Sequence, residues 1–138
     1  MNHENLNRFL EAQECIYPKA LEELKSGRKR THWMWFIFPQ IDGLGHSATA
    51  RRYAIKDREE AQQYLNHRVL GSRLRECTRA VVDIEGRSIS QIFAYPDDLK
   101  FASCMTLFSQ VAEDDALFDL ALEKYFDGAF DARTLELL

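Results

Sequence analysis

Two groups of residues in this chain have the types and spacing to hold an anion. The first is the loop Gly43-Leu44-Gly45-His46-Ser47, followed at once by Arg51, Arg52 and Tyr53. Its glycines allow backbone N–H groups to approach a ligand closely, and Ser47 is placed to cap a helix whose positive end favours negative charge. The second is Lys100, Ser103, Thr106 and Gln110, which at intervals of three, three and four form one polar stripe on an otherwise apolar helix. Burying such groups without partners would cost about 1–3 kcal/mol each, so they must face water, partner groups or a cavity. Lys100 would hold a phosphate or carboxylate as a point charge. The loop matches neither a Walker loop nor a Rossmann fingerprint. A plain helix cap with surface arginines, and an exposed polar edge, are the competing readings. Arginines in the first turn of the Ser47 helix would oppose its dipole unless an anion or an acidic neighbour offsets them, a conflict of the kind found at functional sites.

Beside the loop, Thr31–Gln40 concentrates Trp33, Trp35, Phe36 and Phe38. Two tryptophans two residues apart share a face only if the segment is extended or irregular; in a helix they diverge. They read either as core or as a stacking platform for a base or nicotinamide. His32 reads as a hydrogen-bonded structural histidine or as a general base. Glu60 and Asp98 are the other available acid–base groups, and no nucleophile–base–orienter arrangement is visible. The expected ligand set is His32, Trp33, Trp35, Gln40, Gly43, Gly45, Ser47, Arg51, Arg52, Tyr53, Lys100 and Ser103. His3, His46 and His67 have no metal spacing with one another or with a cysteine, so neither a metal nor another cofactor is expected.

The elements that must position these residues are helical. Leu6, Phe9 and Leu10, continued by Gln13, make an apolar stripe on a first helix. Pro18 suits the first turn of a second, which buries Tyr17, Ala20, Leu21 and Leu24 and ends at Gly27. Trp33–Phe38 is expected to be helical or irregular, because no second strand is available to pair with it. Ser47 opens a short helix through Ala54, and Asp57 with Glu60 has capping-box spacing for a helix that buries Ala61 and Leu65. Leu70, Leu74, Cys77, Val81 and Ile84 mark the clearest amphipathic helix. Ser88 and Gln91 repeat the capping-box spacing. The stretch Asp98–Ala112 is apolar on most of its circumference, Leu99 included, and should be central. Ala116–Phe126 and Asp131–Leu138 follow. The expected fold is all-α: a single domain over residues 1–138, built of several short helices crossing steeply. Trp33–Gln40 should pack against the helix bearing Lys100 and Gln110.

With 138 residues and 46% hydrophobic content, the chain can bury about two-thirds of its unfolded surface as one domain. Its longest strongly apolar run, Trp33–Phe38, is far short of the roughly 18 residues of a membrane span. The N-terminal residues lack the pattern of a secretory signal. Cys15, Cys77 and Cys104 have no C-x-x-C pair and read as reduced thiols of a cytoplasmic protein. Charge is bipolar: residues 25–79 carry twelve basic and five acidic side chains, residues 80–138 four and twelve. The positive half contains the glycine loop, so it either attracts the negative half or meets an anionic ligand. Arg28, Lys29 and Arg30 lack interleaved aromatics, which disfavours a nucleic-acid surface.

His32-Trp33-Met34-Trp35-x-x-Phe38-Pro39-Gln40 followed by Gly43-x-Gly45-x-Ser47 resembles the signature of the bacterial family catalogued as domain of unknown function 1810. Glu60-Ala61-x-x-Tyr64-Leu65, Leu70-Gly71-x-Arg73-Leu74, Asp98-x-Lys100-x-x-Ser103 and Thr106-Leu107-Phe108 extend the resemblance over nearly the whole chain. The resemblance implies a compact, mainly helical fold and supplies no mechanism. Some members carry the label calpastatin, but inhibitors of that type are long and disordered, unlike a chain with a full helical core. Two functions follow from the residues. One is a cytoplasmic enzyme or sensor for a small anionic, phosphorylated or nucleotide-like metabolite. The other is a non-catalytic protein-interaction module with an aromatic and arginine patch.

Overall fold

Leu70, Leu74, Cys77 and Val81 recur every three to four residues, and in the computed structural model they form the buried face of the helix Arg68–Val82. The structure describes residues 6–113 and 115–138; His3, weighed above as a metal ligand, lies outside them. Among the described residues there are ten helices: α1 Asn7–Gln13, α2 Tyr17–Lys25, α3 Met34–Ile37, α4 Ala48–Arg52, α5 Arg58–Asn66, α6 Arg68–Val82, α7 Ile89–Ile92, α8 Asp97–Val111, α9 Leu117–Phe126 and α10 Ala132–Leu137. The fold is all-α. Ile41 and Ile55 form an isolated parallel bridge. Asp42 N–H donates to the Ile55 carbonyl and Ile55 N–H to the Gln40 carbonyl, both at 2.8 Å. The segment Asp42–Ala54, with α4 inside it, is thereby closed at its base.

Helix α8 is the centre. It buries Phe101, Cys104, Met105, Leu107, Phe108 and Val111 and packs against α5, α7, α9 and α10. Leu99 departs from the expected apolar wrap, standing 53% exposed. It lies two residues from Phe101, about 200° around the helix, so the face that buries Phe101 turns Leu99 outward. Helix α6 forms the second axis, against α2, α3, α5 and α9. Where α5 meets α6 the chains approach so closely that a Cβ on Gly71 would lie 2.0 Å from the Leu65 carbonyl oxygen.

Side-chain caps start five of the ten helices among the described residues. Ser47 accepts from Ala50 N–H at 3.1 Å and Asp57 from Glu60 N–H at 2.9 Å, while Ser88 and Gln91 complete a capping box. The Asp57–Glu60 pair is not reciprocal. Glu60 Oε1 instead takes Lys56 N–H at 2.9 Å and the Arg8 guanidinium at 3.0 Å, tying α1 to the start of α5. His67 caps α6 through Nδ1, accepting from Val69 and Leu70 N–H. Several ends differ from the expected ones. α4 stops at Arg52, α6 stops before Ile84, and α8 begins at Asp97.

Candidate functional site

The aromatic segment is held from both sides. In α2, Glu23 is 3% exposed, and its carboxylate accepts four hydrogen bonds. The donors are Arg30 N–H (2.7 Å), Thr31 N–H (3.0 Å), Thr31 Oγ1 (2.7 Å) and Trp33 Nε1 (2.9 Å). Burial would raise the Glu23 pKa, but these donors outweigh it and lower the value from 4.5 to about 2. From α1, buried Gln13 donates through Nε2 to the Phe36 carbonyl (2.7 Å) and to Tyr64 Oη (3.1 Å). Between these anchors α3 makes one turn. Trp33 at its N-cap and Trp35 within it lie about 200° apart, so they face opposite ways. Trp33 is 0% exposed, packed against Phe38 and Phe93. Trp35 is half-buried and faces a cleft.

That cleft, of about 350 Å³, runs between Leu44–Ala50 and the first turns of α8. Trp35, Gln40, Gly45, His46, Ser47, Leu99, Lys100 and Ser103 supply most of its wall. Lys100 Nζ lies 4.8 Å from the Trp35 ring centroid and 3.5 Å from Asp97 Oδ1. The other oxygen of Asp97 meets Lys29 Nζ at 2.9 Å, and Lys29 in turn lies over Trp33 at 5.2 Å. One carboxylate thus bridges two lysines, each seated on a tryptophan. Gln40 is fixed by its carbonyl in the Ile55 bridge. Gly45 is required by close packing, since a Cβ there would stand 2.6 Å from that of Ala50. Phe38 meets Phe101 edge-on at 5.1 Å, which joins the aromatic segment to α8 as expected.

A family model described as "Protein of unknown function (DUF1810)" matches residues 3–138. The chain belongs to that family. The crystal structure of the conserved hypothetical protein Rv1873 from Mycobacterium tuberculosis is similar at 52% identity and a TM-score of 0.96, covering 97% of this chain and 96% of that one. Comparison with curated proteins gives no match. In this DUF1810 chain the segments His32–Ser47 and Asp98–Ser103 both contribute residues to the cleft.

Six of the twelve expected ligand residues line it: Trp35, Gln40, Gly45, Ser47, Lys100 and Ser103. The others are placed elsewhere. Trp33 is core, with its indole N–H spent on Glu23. His32 is exposed outside the cleft. Gly43 is a turn residue at φ +107°, against Leu137. Arg51 and Arg52 are exposed and turned away, because Ala50 is the α4 residue facing the cleft and they follow it by about 100° and 200°. They occupy the last turn of a five-residue helix, where cations suit the dipole, so the expected conflict does not arise. Arg52 instead stacks on Tyr53, its guanidinium carbon 5.5 Å from the ring centroid. Tyr53 reaches only a narrow crevice behind Trp35 and Gln40, and packs on Phe9 and Phe36.

The polar stripe of α8 divides. Thr106 is fully buried, donating to the Ala102 carbonyl and accepting from Asp131 N–H, both at 2.8 Å. The single Ser103 hydroxyl proton has two acceptors within reach, the Leu99 carbonyl (3.1 Å) and Asp131 Oδ2 (3.3 Å), and the residue still lines the cleft. Gln110 lies near the far end, bonded to Ser109. Sequence reasoning missed His46, weighed only as a metal ligand, as well as Leu99 and Asp97. Spacing could have found Asp97, three residues before Lys100 on one helical face. Of the acid–base candidates, Glu60 holds backbone and Arg8, and Asp98 accepts from its neighbour Leu99 N–H. No carboxylate lines the cleft among the described residues. No group of three metal-ligating side chains occurs among them, and none of their helices is long and apolar enough to cross a membrane.

Proposed function

We propose that the cleft binds a small anionic metabolite with a planar or apolar body. The observation that carries this reading is the meeting of Lys100, Trp35, Gln40 and Ser47 on one concavity of about 350 Å³. That volume is within the range of small-molecule sites, roughly 300–1,000 Å³. Lys100 supplies the charge, Trp35 and Leu99 a surface for the body, and Gln40, His46 and Ser103 polar selectivity. An interaction patch built on both tryptophans is disfavoured, because Trp33 is inside the core. The role proposed is binding, since Glu60 and Asp98 are engaged elsewhere and His32 lies outside the cleft. We place the protein in the cytoplasm, on the strength of three separated free thiols, Cys77 and Cys104 among them deep in the core.

A thermal-shift panel of nucleotides, sugar phosphates and aromatic carboxylates tests the reading. A ligand at a hundred times its Kd adds about 2.7 kcal/mol, which raises Tm by roughly 5–15 °C in a domain of this size. Lys100→Ala should weaken the hit by about ten- to a hundredfold, the worth of one charge-assisted hydrogen bond. A hit with the same affinity in wild type and Lys100→Ala would refute the site.

A further inference from the structure

Asp97 is absent from the cleft wall, yet it pairs with the lysine that the wall presents. Its two carboxylate oxygens are divided between Lys29, at 2.9 Å, and Lys100, at 3.5 Å. The three side chains are 10%, 20% and 24% exposed for Lys29, Asp97 and Lys100, so solvent screens them only in part. Two ammonium groups and one carboxylate leave a net single positive charge, and Lys100 carries it into the cleft. No second lysine or arginine lines the cleft among the described residues. Lys100 is also held over the Trp35 ring, which keeps the ammonium beside the surface on which a planar body would lie. A ligand with one negative charge would neutralise this arrangement. Each further negative charge would meet the Asp97 carboxylate with no cation to offset it.

We propose that Asp97 is a specificity-determining positioning residue that restricts the cleft to monoanions, a carboxylate or a phosphodiester joined to a planar body, and disfavours polyphosphates. This inference rests on the cleft being a ligand site, as argued above. It assigns Asp97 a role through Lys100 rather than through contact with the ligand. It also gives Lys29, which is outside the cleft, a part in anion binding: by drawing off half of the Asp97 carboxylate it leaves Lys100 incompletely neutralised.

The test uses two series that share a body and differ in charge: cyclic AMP, AMP and ATP, and nicotinate against quinolinate. Affinities are measured by titration calorimetry at constant low ionic strength, with the two series separating phosphodiester from carboxylate recognition. In wild type the singly charged member of at least one series should bind most tightly. Asp97→Asn should shift the ratio toward the more highly charged member by about tenfold, a change worth about 1.4 kcal/mol. Asp97→Glu should retain the wild-type preference. Lys29→Met should weaken every anion that binds, although its side chain touches none. A merely structural role for Asp97 would move all members of a series alike and could not give the two lysine–aspartate variants opposite signs. If Asp97→Asn does not fold, the wild-type ranking and Lys29→Met still decide. Affinity that rises with charge in wild type, or a ratio unchanged by Asp97→Asn, overturns the inference; continued dependence on Lys100 and Trp35 would then leave the binding site standing. No binding by any probe, or binding indifferent to both Lys100→Gln and Trp35→Leu, removes the site itself and this inference with it.

Discussion

Trp33 and Trp35 show how two identical side chains acquire different work. Trp33 fills the interior beside Phe38 and Phe93 and satisfies its single donor on the Glu23 carboxylate. Removing it would leave a large cavity and a carboxylate short of one partner. Trp33→Ala is therefore expected to cost about 3–5 kcal/mol in urea unfolding. Trp35 lies half in the cleft with Lys100 over its ring. Trp35→Leu keeps an apolar contact and should cost under about 1.5 kcal/mol, while losing ligand binding. Equal stability losses in the two variants would contradict the division of core and cleft.

At the scale of elements, Gly71 lets α6 come close to the end of α5. Gly71 sits where any side chain would collide with the Leu65 carbonyl, a backbone atom that cannot swing aside. A collision of this kind is relieved only by moving one helix against the other. Gly71→Ala should thus be destabilising by about 1–3 kcal/mol or more, although alanine is the better helix former by about 1 kcal/mol. A raised melting temperature in this variant would show that the helices separate freely. Helix α4 illustrates the opposite case. It buries no side chain, and its place is set by the Ser47 cap, the Gly45–Ala50 contact and the Ile41–Ile55 bridge at its base.

For the whole molecule, Glu23 couples acid stability to the position of the aromatic segment. Its folded pKa of about 2 lies below the ordinary 4.5. The stabilisation is complete above pH 4.5, shrinks as pH falls, and is lost on passing through pH 2. The gap corresponds to about 3 kcal/mol. Melting temperature measured from pH 6 down to 2 should fall over this window in wild type. Glu23→Gln should begin less stable and lose this part of the acid dependence. An unchanged pH profile in Glu23→Gln would show that the carboxylate is not the group responsible.

Helical periodicity and cap chemistry are local properties, so the order of elements was legible in the chain itself. The spacing of Leu70, Leu74, Cys77 and Val81, the Ser47 and Asp57 caps, and the Ser88–Gln91 box all stand where the residues place them. Gly45 and Ser47 of the glycine loop meet Lys100 on the cleft, whereas the arginines expected with them do not reach it. Tertiary structure alone decided which way each side chain turns. A single turn at α3 sends Trp33 inward and Trp35 outward, and an α4 of only five residues turns Arg51 and Arg52 away from the cleft. Gln13 reaches Phe36 and Tyr64, and Lys29 reaches Asp97, across long stretches of sequence. Their burial and pairing depend on distances that exist only once the helices have packed, and no local pattern records them.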